Sequence, residues 1–265
     1  EDAVISMDDG IHVNWPITRH WGRKSKAKNK NSNKQFEKKY ETLKSFFKKA
    51  QAYNKGTHQY TDLKFSSMAG LFDGSQTLFV HVQGAKGISK AIEFSKECAV
   101  VNMVIVGGRE SWMVLDQLKK NNVPVILNRV HSLPQQPGDP IDLPFRLPKI
   151  LADAGILFCL DNSGDMERMG TRNLPFYAGT AAAYGLGKEE ALKTITYNTA
   201  KILGLGSQLG SLEIGKDATL FVSSGDALDM RTNNLEFAFI NGRAIDLDNH
   251  QKALYRKYRT KYKPK

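Results

Sequence analysis

The sequence has little of what most quickly gives a function class away. It holds two cysteines in 265 residues, too few for a disulfide framework. Cys98 and Cys159 sit in the apolar contexts SKECAVV and ILFCLDN, which read as buried thiols and not as a metal pair. No apolar run approaches the roughly 18 residues that cross a bilayer, so no membrane is expected as a partner. No RNP-like, zinc-finger or helix-turn-helix pattern is present. No secretory signal opens the chain either. The first residue is Glu1, not Met, from which an upstream segment is expected, and export if that segment was a signal.

What is there resembles a soluble globular protein, 41% hydrophobic and 25% charged. The net charge of +11 is unevenly placed. Residues 19–55 hold 13 Lys/Arg against 2 Glu, and residues 251–265 hold 7 with no acid, leaving −7 on the rest. An acidic body with two basic segments argues against nucleic acid as the partner. From Arg19 to Lys34 the composition predicts a mobile loop. Phe36, Tyr40, Leu43, Phe47, Ala50 and Tyr53 then recur at helical spacing, with lysines on the outer face.

The centre alternates strand and helix. Strands are predicted at Gly10–Trp15, Thr77–Val82, Val100–Val106, Val123–Leu127 and Gly155–Leu160, with helices over 86–96, 110–120 and 147–154 between them. That alternation is the βα pattern of a parallel sheet or barrel. A complete eight-stranded barrel typically needs about 250 residues before any accessory strands. The expected architecture is therefore α/β, a (β/α) TIM-barrel-like scaffold incomplete at its N-terminal end. It spans residues 1–205 with the basic loop and helix at 19–55 inside it. Accessory β strands occupy 206–249, where Asn241-Gly242 signals a hairpin. A basic tail covers 250–265.

One stretch is more specific. Leu192–Val222 reads LKTITYNTAKILGLGSQLGSLEIGKDATLFV. A helix over 188–204 is stopped by Gly204 and Gly206, and a tight turn at Gly215-Lys216-Asp217 leads into an apolar strand. This resembles the C-terminal signature of the amidohydrolase superfamily, especially its imidazolonepropionase-like members, with Thr219 where an Asp is usual. The resemblance covers about residues 40–245. It implies a metal-dependent hydrolase of non-peptide carbon–nitrogen bonds, cyclic amides among them. Metal-activated water would attack the carbonyl, and an acid on the last barrel strand would move the proton. The alternative is a degenerate member that binds a ligand or has a structural role without catalysis.

Functional residues in parallel barrels collect where strands end. His81, in Phe-Val-His-Val-Gln-Gly, matches the family's metal-binding His on the fifth strand; a structural histidine is the plainer use. Gln83 stands where a second His often stands. The next strand ends in Val106-Gly107-Gly108-Arg109, where relatives carry another His. Gly107 and Arg109 are assigned to substrate contact, as is His131 in Asn128-Arg129-Val-His131. At the fourth end, Leu160-Asp161-Asn162-Ser163-Gly164-Asp165, the family's catalytic Asp aligns on Ser163. Asp161 and Asp165 flank it and either could serve, a surface turn being the plain reading of both. No His-x-His exists in the chain. A catalytic zinc needs three protein ligands, and His81 plus one acid fall short. The expected cofactor is a divalent metal, zinc by ligand type, if the site is complete, and none in this chain otherwise. The expected partners are a small-molecule substrate and either a second copy or the missing N-terminal part.

Overall fold

The computed structural model describes residues 4–16, 26–134, 136–163 and 167–262, with backbone alone at 26–32 and 167–168. Its frame is a parallel sheet of five strands in sequence order: β1 Gly10–Asn14, β2 Thr77–Val82, β3 Asn102–Gly107, β4 Val125–Leu127 and β5 Phe158–Leu160. Neighbours pair in parallel along the whole sheet, for example Asn14 with His81, His81 with Val106, and Gly107 with Leu127. The crossovers run through α1 Lys26–Lys55, α2 Leu63–Ser66 and α3 Gly70–Asp73, then α4 Ala85–Glu97, α5 Leu115–Lys120 and α6 Leu143–Asp153. Beyond β5 lie α7 Leu174–Ala181, α8 Lys188–Thr194 and α9 Tyr197–Ile202.

Side-chain alternation along the strands divides the sheet into two faces. Leu78, Val80 and Ile105 point towards the helices. There they join Phe47, Ile88, Phe94, Leu118 and Leu151 in the main core, all wholly or almost wholly buried. Phe94 is the hub of an aromatic cluster, with Trp15, Tyr40 and Phe47 packed edge-on at 5.5, 6.0 and 4.9 Å. Burial and the neighbouring Glu97 carboxylate push the Tyr40 hydroxyl up to about 12. The opposite face carries a smaller cluster of Phe79, Val104, Val106, Cys159 and Ile202. Burial holds the thiols of Cys98 and Cys159 at about 11 and about 12, so both stay protonated and unreactive.

A second sheet is antiparallel, with β6 Leu220–Ser223, β7 Leu235–Ile240 and β8 Arg243–Ala244. Asn241 and Gly242, both at positive φ, make the predicted hairpin turn. Gly179 in α7 is needed where this segment meets the barrel helices, because a Cβ there would lie 2.1 Å from the Leu228 carbonyl oxygen. The basic helix α10, His250–Lys261, closes the chain, capped by the Asn249 side chain and buried nowhere.

Several elements differ from the sequence reading. The helix expected from Phe36 starts at Lys26, inside the stretch read as a loop. Residues 26–55 contain neither Gly nor Pro, and Lys, Ala and Gln are good helix formers, so polarity alone does not break it. Residues 17–25 lie outside the described part. The single helix expected over 188–204 is two, broken at Ile195-Thr196. The Thr194, Thr196 and Thr199 hydroxyls all bond back to carbonyls of the preceding turn, a competition that weakens the helical ladder. Likewise the segment expected as one helix over 110–120 is a short turn of 3-10 helix followed by α5.

Candidate functional site

The polar groups of the second face gather at the carboxyl ends of the strands. Alternation that sends Leu78, Val80 and Val82 to the helices sends Phe79, His81 and Gln83 the other way. From β1, His12 stacks on Phe79 at 4.7 Å between ring centroids and places Nδ1 2.8 Å from His81 Nε2. A hydrogen bond between two ring nitrogens needs one donor and one acceptor, so at least one imidazole of the pair is neutral. Burial, then the His12 charge, lowers the His81 pKa, and the Asp161 carboxylate partly opposes them. The balance favours the neutral imidazole at His81.

Asp161 follows β5, its amide held by the Leu127 carbonyl at 2.9 Å. Ser163 donates its hydroxyl to Asp161 Oδ2, so the residue aligned with the family's Asp supports the acid beside it. Asp165 lies outside the described residues.

Gln83 Nε2 donates to Asn128 Oδ1 at 3.0 Å, bridging the ends of β2 and β4 across Gly107. Glu110 accepts the Ala85 amide at 2.9 Å, placing a carboxylate on the N-terminus of α4. Arg109 lines a small recess with Asn128, Arg129 and Leu143, and its Nε is buried without a hydrogen-bond partner among the described residues. His131 turns to the helices: its Nε2 lies 2.7 Å from Thr180 Oγ1, with Tyr177 and Phe145 edge-on against its ring. Burial and the Arg129 charge lower its pKa. None of these contacts reaches His81, Gln83 or Asp161.

The structure thus brings His81 and Gln83 to one face, with Asp161 close enough to act on the His81 charge. Gly107 sits beneath Gln83, and Arg109 and His131 lie along the rim of β4. Two participants escaped the sequence reading. His12 is not among the residues the sequence singles out, yet register puts it against His81 from 69 residues away. Asn128 is the partner of Gln83. Period-2 alternation in β1 was the available signal for His12; nothing local marked Asn128.

A divalent metal does not fit the described residues as they stand. No three His, Cys, Asp or Glu side chains among them converge as ligands. The His81 Nε2 atom faces His12, and Gly107 has no side chain to offer. A catalytic zinc needs three protein ligands.

Comparison with known proteins agrees with this frame. A crystal structure of an amidohydrolase from Thermotoga maritima superposes with a TM-score of 0.71 at 25% identity, over 90% of this chain and 62% of that one. A Xaa-Pro dipeptidase structure with bound methionine shares the fold at a TM-score of 0.52 and 17% identity, over 68% of this chain and 47% of its own. Amidohydrolase tasK of Hapsidospora irregularis is 31% identical over 115 residues, 40% of this chain and 11% of that protein. The chain thus spans less than two thirds of the length of these relatives. The amidohydrolase family model matches residues 33–245, which takes in β2 to β8 and both flanking glycine turns of the Leu192–Val222 stretch. On that match, supported by the parallel strand order and the strand-end polar groups, the chain belongs to the amidohydrolase family.

Proposed function

We propose that this chain carries part of the active face of a hydrolase acting on non-peptide carbon–nitrogen bonds, with small cyclic amides as the substrate class. The scaffold is read as a TIM-like barrel of which these five strands form one side. The observation that supports the reading best is the placement of His81, paired with His12 and under the influence of Asp161, at the strand ends of a family-matched sheet.

Amide hydrolysis needs a base for the proton of the attacking water and an acid for the leaving nitrogen. Neutral His81 can accept a proton at the ring nitrogen that His12 leaves free, while the Asp161 carboxylate favours the imidazolium so formed. Ser163 keeps that carboxylate oriented by donating to Oδ2. Returning the proton to the leaving nitrogen completes the cycle. The metal-activated water that the family resemblance implies has no complete ligand set among the described residues, so no step is assigned to it. Gln83, with Gly107 beneath it, and Arg109 form the wall against which a substrate rests.

A second reading has its own support. Gly107 and Gln83 stand where relatives carry histidines, and the described ligand set is short, which favours a member that binds such compounds without cleaving them. The two readings separate in one assay. Incubation of the full chain with a panel of lactams, hydantoins and dihydropyrimidinones, following ring opening by NMR, is expected to show turnover that His81→Ala abolishes. Saturable binding without ring opening across the panel supports the second reading and contradicts the first.

A further inference from the structure

Gly107 has a φ of +110°, and a Cβ added there would lie 2.4 Å from Gln83 Nε2 and 2.7 Å from its Cδ. The Gln83 carboxamide therefore lies directly on the Gly107 backbone, in the space that any side chain at 107 would fill. The backbone conformation requires glycine here, and the Gln83 carboxamide occupies the space that the missing side chain leaves. The two positions are coupled: a side chain at 107 would displace the Gln83 carboxamide from this place.

One hydrogen bond holds the Gln83 side chain there. Its Nε2 donates to Asn128 Oδ1 at 3.0 Å, and the Asn128 backbone N–H in turn donates to the Gly107 carbonyl at 3.3 Å. One donor of Gln83 and the acceptor of Asn128 are thus used. The Gln83 Oε1 acceptor and the Asn128 Nδ2 donor have no partner among the described residues. Gln83 is exposed and Asn128 half-buried, so the pair lies at the solvent boundary and not in the core. A linked pair of neutral carboxamides then offers one free acceptor and one free donor, two residues along the same strand face from His81.

We propose that the Gln83–Asn128 pair is a subsite for the cis-amide edge of a cyclic amide, the ring N–H donating to Gln83 Oε1 and the ring carbonyl accepting from Asn128 Nδ2. A secondary amide in a small ring presents its N–H and C=O on one edge because the ring enforces cis. An open-chain secondary amide is overwhelmingly trans and points the two groups apart. The subsite therefore selects lactams, cyclic ureides and imides over open-chain amides, and its neutrality selects uncharged edges over carboxylates. This deepens the hydrolase reading by assigning the group that carries substrate choice, but the binding it describes does not depend on turnover.

The test is equilibrium binding to the full chain, read from the side-chain amide resonances of Gln83 and Asn128. The probes are δ-valerolactam, N-methyl-δ-valerolactam and N-methylacetamide. δ-Valerolactam is expected to bind and shift both resonances. Its N-methyl derivative, which lacks the donor, should bind about tenfold more weakly, the worth of one hydrogen bond. N-Methylacetamide should bind more weakly than δ-valerolactam. Gln83→Met, which keeps the volume over Gly107, should lose the preference for δ-valerolactam over its N-methyl derivative. A purely structural clamp between β2 and β4 would leave that preference untouched in Gln83→Met. Equal affinity for the two lactams, retention of the preference in Gln83→Met, or no binding of δ-valerolactam overturns the proposal. Ring opening of both lactams at equal rates would contradict the subsite and leave the hydrolase reading intact. Selective binding without ring opening would do the reverse.

Discussion

The two faces of the parallel sheet are built from the same five strands yet have opposite characters. Towards the helices the sheet is apolar and closed, and Leu78, Val80, Ile105 and Val125 are wholly buried there. On the other face Phe79, Val104, Val106 and Cys159 make a smaller cluster, and the polar groups sit above it: the His12–His81 pair, Gln83 on Asn128, and Asp161 on Ser163. One residue of strand register separates the residues that hold the fold from those that offer chemistry. Substitutions on the two faces should therefore have separable consequences.

The largest effect is expected on the closed face. Phe94→Ala removes the hub of the aromatic cluster, for which core truncations of this size cost about 3–5 kcal/mol. Chemical denaturation should show that loss, and an unchanged midpoint would mean the face is not close-packed. On the polar face, His81→Ala should lower any ring-opening rate by roughly 100-fold or more, the usual worth of an acid–base group. Its thermal midpoint should stay near that of the parent; unfolding of the variant would place His81 with the core instead.

An intermediate effect tests coupling within the polar face. Gly107→Ala puts a Cβ into the Gln83 carboxamide and a non-glycine residue at φ +110°. It should cost about 1–3 kcal/mol of stability through backbone strain. Gln83→Ala in that background should relieve the collision but not the strain, so the double variant should recover only part of the loss, which a double-mutant cycle measures.

His131 provides a smaller test through pH. Burial and Arg129 lower its folded-state pKa, so the folded protein binds that proton less readily than the unfolded chain. The sign follows: above about pH 6.5, the ordinary histidine value, both states are neutral and the residue contributes no pH dependence. As pH falls from there to the depressed folded value, the unfolded state gains the proton first and stability declines. His131→Gln should flatten that decline, and an identical slope would show that the residue titrates as freely as in the unfolded chain. The smallest effect belongs to the surface. Arg256 pairs with Asp248 at 2.6 Å, both well exposed, and Arg256→Ala should leave the denaturation midpoint nearly unchanged.

Much of the closed face was legible in the sequence. Strand–helix alternation located β2 to β5, and the spacing from Phe36 to Tyr53 located the buried side of α1. Gly204, Gly215 and Asn241-Gly242 marked the turns that end or connect elements. The polar face was legible only where one residue sufficed, as at His81 and Asp161. The partnerships were not, because His12 and His81, or Gln83 and Asn128, meet through strand register and not through spacing. Local sequence also does not show that three threonine hydroxyls break the helix at Ile195, or that polarity from Lys26 to Lys34 still supports one.

On the proposed reading the polar face carries acid–base chemistry independent of the core. Its most direct measurement is the ring-opening rate of a cyclic amide by the parent chain, His81→Ala and Asp161→Asn, each alongside its denaturation midpoint. Turnover by the parent is expected, with a loss of roughly 100-fold or more in both variants and midpoints close to the parent's. Parent turnover that both variants retain, or no ring opening by the parent at all, would contradict it.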